Sequence, residues 1–536
     1  MNAQTVAEPF ATARSAGGLT LLSLASPITG LAVEMAIALH FGTTATADAY
    51  RVALAIVFIG QQFFMGTLFP NIFVPLFAEY RSRGEEADAW NAAISLVGLL
   101  LVPTILVSLA IFAWPARIAS LLAPGLAPLA RERAIFFIRW FALSLVPGML
   151  TGAALGLLYS YRTFWTSPAG QILANVAMAG LIMSLARLLG SATLVVGTLA
   201  GVASLLIVQI PGLGPVIRRV RGQLRLRIDA RQPGVRQGLR LVAPLSWSTV
   251  TGHFNAIIVN WALSDTPVGT IAALGYAGKA QRLVLTLPGV LATVLFPKFA
   301  DLTSLTSREE LCALCTKAVR MALFIAMPIG CALIVLRQPV ISLLFERGAF
   351  SSTATVKVAR LFAMLILLMP AAVASAYFIK VLYALQEMWW PAVDHAACLV
   401  LQLLTIPPAA RHFGAEGVAI ALVGIWWFGT GFHVAVLHWK YRAVRVGELT
   451  GFFLTTAFYG AIAAYVGDIV SSALFRADSA GSSLGLLILA ASGLLSVGMF
   501  YLLAVLMRSP EALECTRYMR WQSAPLLRIV RRTVLG

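Results

Sequence analysis

Apolar residues run along this chain in blocks of about 20, the length an α-helix needs to cross a bilayer core of roughly 30 Å. Fourteen such blocks, each bounded by charge, Pro/Gly clusters or both, fall at 18–41, 50–77, 90–114, 134–159, 168–188, 191–212, 241–263, 269–296, 319–342, 358–385, 390–410, 415–438, 449–471 and 483–507. The pattern predicts an all-α polytopic membrane protein of about 14 transmembrane helices. Residues 1–17 are polar and lead straight into the first block with no small-residue cleavage site, so that block is expected to be a retained helix rather than a removed signal peptide.

Landmarks recur along the chain at one offset. Ser26-Pro-Ile-Thr29-Gly30 resembles Ser248-Thr-Val-Thr251-Gly252, and Phe73-Val-Pro75-Leu-Phe77-Ala78-Glu79 resembles Leu295-Phe-Pro297-Lys-Phe299-Ala300-Asp301, both at 222 residues. Leu121-Leu122 pairs with Leu343-Leu344, Pro147 with Pro370, and Leu158-Tyr159 with Leu382-Tyr383, at 222 to 224. Five pairings in order point to a duplication. The expected organisation is a cytoplasmic N-terminus (1–17), an N-lobe (18–212), an Arg-rich linker (213–240), a C-lobe (241–438), two further helices (439–507) and a basic tail (508–536). Each lobe holds six crossings, so the repeats are parallel, an arrangement that suits transport by rocking one half against the other around a hydrophilic cavity.

Composition agrees with the membrane reading: 59% of residues are hydrophobic and 12% charged, about half the charge of an ordinary soluble domain. The 40 Lys+Arg against 22 Asp+Glu give +18, which in a soluble protein would suggest nucleic acid. Placement decides otherwise. With both termini inside, 24 basic residues fall in cytoplasmic segments and eight in external ones, a bias that predicts an N-in/C-in topology and no nucleic-acid partner. The densest cluster, from Arg218 to Arg240, has eight arginines and one acid, Asp229, and is expected to rest on anionic membrane lipid, partly in extended form where Leu224, Leu226 and Ile228 alternate with Arg225 and Arg227. Trp165, Trp389, Trp390 and Trp439 fall at span ends, as interfacial anchors do.

Nothing in the sequence assembles an enzyme. The six histidines form no HExxH, and there is no P-loop and no Gly-x-Ser-x-Gly elbow. Cys312 and Cys315 form a lone CxxC, expected to be two helix residues rather than a metal site. No cofactor or metal is expected, and transport would draw on an ion gradient or the membrane potential, with the ion left open. Intramembrane polar residues are the better clue, because a charge in mid-bilayer is costly unless it meets a partner or a cavity. The candidates for a substrate cavity are Glu34, Asp48, Arg51, Gln61 and Gln62 in the first two spans, and His253, Asn255, Asn260, Lys279 and Arg282 in the seventh and eighth. Asp48 and Arg51 could instead close a helix end as an i,i+3 pair. Arg139, Lys380 and Asp394 lie near span ends, where snorkelling accounts for them.

Phe41-Gly42, Ala47-Asp48-Ala49 and Phe73-Val-Pro-Leu-Phe-Ala-Glu79-Tyr80 resemble the N-terminal pattern of the MviN/MurJ lipid II flippases of the MOP (multidrug/oligosaccharidyl-lipid/polysaccharide) exporter superfamily. Leu344-Phe345-Glu346-Arg347-Gly348-Ala349-Phe350-Ser351, Leu382-Tyr383-Ala384 with Pro391, and Tyr276-Ala277-Gly278-Lys279 resemble further landmarks of that family. The likeness covers most of residues 18–440. It implies a fourteen-helix flippase, with no catalytic motif, that carries an undecaprenyl-pyrophosphate-linked glycan across the bacterial inner membrane by alternating access for cell wall or exopolysaccharide synthesis, beside envelope-glycan synthesis enzymes. The chain departs from the family where cations would meet pyrophosphate. Pro27 and Val33 stand at the first-helix arginines, Gln61-Gln62 at an Arg-Arg pair, and Lys279 at the eighth-helix arginine. Lys lacks the planar fork of Arg, so even the last change alters the site. The expectations left open beside the flippase are a multidrug or small-solute exporter of the same superfamily and a non-transporting scaffold of an envelope-synthesis complex.

Overall fold

The computed structural model describes residues 4–220, 229–286, 308–474, 483–514 and 516, and among them every regular element is helical. In chain order the long helices are α1 (Gln4–Phe41), α2 (Ala45–Ser82), α3 (Glu86–Ala113), α4 (Pro128–Ser160), α5 (Thr166–Leu189), α6 (Ala192–Val220), α7 (Pro233–Leu263) and α8 (270–286). They continue with α9 (Arg308–Val335), α10 (Ser352–Ala384), the 51-residue stretch Trp389–Trp439, α13 (Val446–Leu474) and α14 (Ser483–Leu506). At 1.5 Å per residue the 51-residue stretch would be about 76 Å long, more than twice a bilayer core. Gly414, with φ of 59° and ψ of −140°, breaks it into α11 (389–413) and α12 (415–439), a backbone conformation that a residue with a Cβ seldom adopts.

Ten helices among the described residues are long and apolar enough to cross a membrane, and Ala25–Phe41 and Phe254–Leu263 are shorter apolar stretches within α1 and α7. The protein is therefore a multi-pass membrane protein. Helices α6 and α7 run further than hydropathy marks, through Val220 and from Pro233, so both enter the Arg-rich segment. The alternating stretch 224–228 lies outside the described residues, as do the end of the eighth expected span and most of the basic tail.

Interruptions recur at the spacing of the sequence landmarks. A short helix, Pro115–Leu122, follows α3, and another, Arg337–Phe345, follows α9. A 3-10 turn at Ala142–Ser144 interrupts α4, and a turn at 367–368 interrupts α10.

Two compact units are present: 1–283 with 347–354 and 399–418, and 284–346 with 355–398 and 419–536. In the first, Phe69, Phe73 and Phe77 stand four residues apart on one face of α2 and are fully buried, with successive ring centroids 5.2 and 6.3 Å apart. Trp90 and Tyr80 close this cluster, so the Phe-Val-Pro-Leu-Phe-Ala-Glu-Tyr motif acts in packing. Trp90 Nε1 donates to Tyr161 Oη at 2.9 Å, and that hydroxyl donates to Glu86. The core of the second unit joins α9, α10 and the end of α12 around Tyr377, Phe378, Met327 and Leu437. Cys312 and Cys315 are buried on α9 as free thiols.

Candidate functional site

Four of the ten candidate residues come together in the first unit. Glu34, on α1, is 7% exposed, and Arg51, on α2, donates from Nη2 to its Oε2 at 2.6 Å. The Arg51 guanidinium also lies over the Tyr276 ring of α8, 4.4 Å from its centroid. Gly275 makes room for it, because a Cβ there would sit 2.5 Å from the guanidinium. Lys279, one turn further along α8, has its Nζ 3.5 Å from where a Cβ of Gly30 would lie, and Gly30 is four residues before Glu34 on the same face of α1. Lys279 thus lies on the face of α1 that carries Glu34, and Arg282 follows it by three residues on α8. Arg282 is exposed, with its Nε donating to the Gly278 carbonyl at 3.3 Å.

Asp48 does a different job. It is 4% exposed, and its two carboxylate oxygens accept from the backbone N–H groups of Gly269 at 2.5 Å and Ala272 at 2.7 Å. These are orphan donors at the start of α8, where the helix dipole also favours a negative charge. Asp48 and Arg51 therefore each have a partner beyond their own helix. Around this cap the connections meet closely. Tyr276 Oη donates to the Gly42 carbonyl at 2.9 Å, and the Ala349 N–H donates to the Leu39 carbonyl at 2.8 Å. Gly269 has φ of 87°, and a Cβ on it would fall 2.2 Å from the Thr43 carbonyl oxygen, so no other residue fits. The α1–α2 turn, the α7–α8 turn and residues 347–350 clasp one end of the site.

Gln61 and Gln62 are half-buried where α2 passes into a seven-residue π-helical stretch, Gln62–Leu68. Pro70 lacks the N–H that would bond to Gly66, which loosens the α register just before it. On α4, Gly152 and Gly156 let the wide turn approach, since a Cβ on either would collide with the backbone of Phe64 or Phe69. Such turns are frequent at functional sites. Asn255 and Asn260 are half-buried on α7, and the His253 side chain lies outside the described residues.

Sequence reasoning did not name Asn175, and named Tyr276 only as a family landmark. Asn175, on α5, donates from Nδ2 to the Ser26 carbonyl at 3.2 Å and to Thr29 Oγ1 at 3.0 Å, and Gln171 donates to its Oδ1 at 3.1 Å. This holds the Ser26–Gly30 turn of α1 beside Lys279. One amide in an apolar helix carries no period, and only its distance from Pro27 and the polar run Ser26–Thr29 in space marks it. Asp394 is the other correction: it is 5% exposed and faces His433 rather than reaching to an interface.

The sequence model of a family described as "Lipid II flippase MurJ" matches residues 37–504. The chain belongs to the lipid II flippase MurJ family. Its relatives in that family include a probable lipid II flippase MurJ of Rhizobium meliloti (strain 1021), 26% identical over 433 residues and covering 79% of each chain. A second, from Rhizobium tropici, is 28% identical over 455 residues, covering 80% of this chain and 82% of its own. Among solved structures, a lipid II flippase MurJ in an inward closed conformation superposes with a TM-score of 0.76 over 91% of this chain and 99% of its own, at 18% identity. An inward-facing MATE-family multidrug resistance transporter of the MOP superfamily gives 0.56 at 15% identity, over 79% and 94%. The MurJ fold thus carries, in this chain, a cation–carboxylate cluster with Arg51 at its centre.

Proposed function

We propose that this chain is a flippase for an undecaprenyl-pyrophosphate-linked glycan of the lipid II type, moving it from the cytoplasmic to the periplasmic leaflet of the bacterial inner membrane by alternating access, without catalysis and without a cofactor. The observation that carries this reading is the gathering of Arg51 and Lys279 about a single buried carboxylate, Glu34, with Arg282 on the next turn of α8. Cations held there suit a pyrophosphate, whose oxygens accept charge-assisted hydrogen bonds. They are ill suited to a cationic drug, which sets the multidrug alternative aside.

The cluster also gives the missing first-helix arginines a physical sense. Val33 offers no cation beside Glu34, and Arg51 brings one from the neighbouring helix. With Arg51 engaged by Glu34 and stacked on Tyr276, Lys279 and Arg282 are the groups assigned to the pyrophosphate. The clasp around Asp48 is the end that closes while headgroup enters from the other, and in the N-in orientation it faces the periplasm. The Arg218–Arg240 segment would rest on anionic lipid, and envelope-glycan synthesis enzymes would supply and consume the cargo.

Purified protein in liposomes carrying a fluorescent lipid II analogue tests this. Lys279→Gln combined with Arg282→Gln should slow flipping by about tenfold to a hundredfold, the worth of one or two charge-assisted hydrogen bonds. Unchanged flipping at equal protein incorporation contradicts the site.

A further inference from the structure

The second unit buries a polar cluster that the transport site does not use. His433, on α12, is 1% exposed, and Asp394, on α11, is 5% exposed. His433 Nδ1 is hydrogen-bonded to Ser375 Oγ of α10 at 2.9 Å, and its Nε2 lies 3.5 Å from Asp394 Oδ2. That Nε2 is fully buried and makes no hydrogen bond, although it is aimed at a carboxylate. Cys398 Sγ donates to Asp394 Oδ1 at 3.4 Å, and a Cβ on Gly429 would come within 2.9 Å of the same oxygen, so a glycine gives the carboxylate its place between α11 and α12. His395 is the other ionisable group that acts on the ring.

We propose that Ser375, Asp394 and His433 form a proton-binding site through which a proton gradient drives the transport cycle. A histidine and an aspartate buried together in a membrane are costly to keep unless they pair or serve a function. A neutral ring has a single N–H for its two polar neighbours, Ser375 Oγ and the Asp394 carboxylate, and leaves the pair with a net charge of −1. One proton from water makes both ring nitrogens donors, Nδ1 to Ser375 Oγ and Nε2 to Oδ2, and takes the pair from a net charge of −1 to neutral. No other bond is made or broken, and release of that proton on the opposite face completes its passage.

Access from one face is short. Asp394 is five residues inside the start of α11 and His433 six residues inside the end of α12, about 8–9 Å along the helices. Lys440 and Glu387, 3.4 Å apart, mark that end, with Lys440 over the Trp390 ring. Uptake draws α10, α11 and α12 together through one ring, and loss of the proton releases them, so the charge state biases the packing of three helices. The coupling half of this inference rests on the flippase reading above. The proton-binding half does not.

Two arms separate these. In liposomes with the fluorescent lipid II analogue and the membrane potential clamped at zero, an imposed pH gradient should speed flipping several-fold in the wild type and in His412→Gln, whose ring is exposed. In His433→Gln the rates with and without the gradient should be equal, and Ser375→Ala, a milder change that keeps the helices packed, should weaken the response. A full response in His433→Gln, or none in the wild type that does flip the analogue, overturns the proposal. In the second arm, full-length protein in detergent is titrated with a pH-indicator dye between about pH 5 and 8. Asp394→Asn leaves every histidine in place, so proton uptake lower than wild type by about one proton per chain supports the site, and equal uptake overturns it. If the wild type does not flip the analogue at all, the cargo reading fails and this second arm alone decides the proton site.

Discussion

Glu34 and Arg51 illustrate what a buried pair demands of its partners. Removing Arg51 takes the 2.6 Å partner from a buried carboxylate and leaves Lys279 to offset it from further off, a loss of up to about 3–5 kcal/mol. Arg51→Gln should therefore lower the thermal midpoint of the purified protein by many degrees, whereas Arg282→Gln, at an exposed position, should leave it nearly unchanged. Differential scanning fluorimetry in detergent reads both, and equal midpoints for wild type and Arg51→Gln contradict the pairing. Tyr161, outside the membrane spans, offers a test by pH. Burial, and then its hydrogen bond to Glu86, push its phenol up to about 12 from the ordinary 10.0. The folded state keeps a proton that the unfolded state gives up, so the stability this group contributes is complete below pH 10 and is lost as pH rises towards about 12. Midpoints measured across that window should fall in the wild type and fall less in Tyr161→Phe. Sequence reading found Glu34 and Arg51 because both are charged within apolar runs, but their pairing was hidden: spacing on one helix made Asp48 the nearer partner, and only the turn between α1 and α2 decides otherwise.

At the scale of elements, the ends of helices hold the functional geometry. Asp48 on α2 caps α8 across 221 residues of sequence and satisfies two of its first N–H groups. Asp48→Asn keeps the shape but loses the charge and half of the acceptor capacity, so the clasp should loosen. A cysteine placed at Thr43, beside Gly269, should react faster with a water-soluble maleimide in the Asp48→Asn background than in the wild type, and an equal rate would show that the cap does not hold the clasp. The apolar periods that mark helices were plain in the sequence, and the described helices overlap the hydropathy blocks. Interruptions were harder to see. The π-helical turn at Gln62–Leu68 depends on Pro70 beyond it and on two glycines of α4 facing it, and no single window contains all three. The division at Gly414 was legible, because neither half of a 51-residue helix fits a bilayer with the other.

For the whole molecule, duplication and charge placement say more than any motif. Recurring landmarks at 222 to 224 residues agree in spacing with the short helices after α3 and α9. The polar clusters fall one in each compact unit. Glu34, Arg51 and Lys279 gather in the first unit, and Ser375, Asp394 and His433 in the second. The second was not legible in the sequence because Asp394 and His433 lie 39 positions apart on consecutive helices, and Asp394 reads there as a span-end residue. On the function proposed above, membership of the MurJ family extends to its cargo although Pro27 and Val33 stand in the first helix, with Lys279 and Arg282 serving the pyrophosphate. Depletion of the resident lipid II flippase in a bacterium, with this chain supplied from a plasmid, tests it most directly. The wild type should restore growth and clear the accumulated lipid-linked precursor, while the Lys279→Gln, Arg282→Gln protein, present at equal level in the membrane, should do neither. Precursor that stays high with the wild type, or clears equally well with the double substitution, would contradict it.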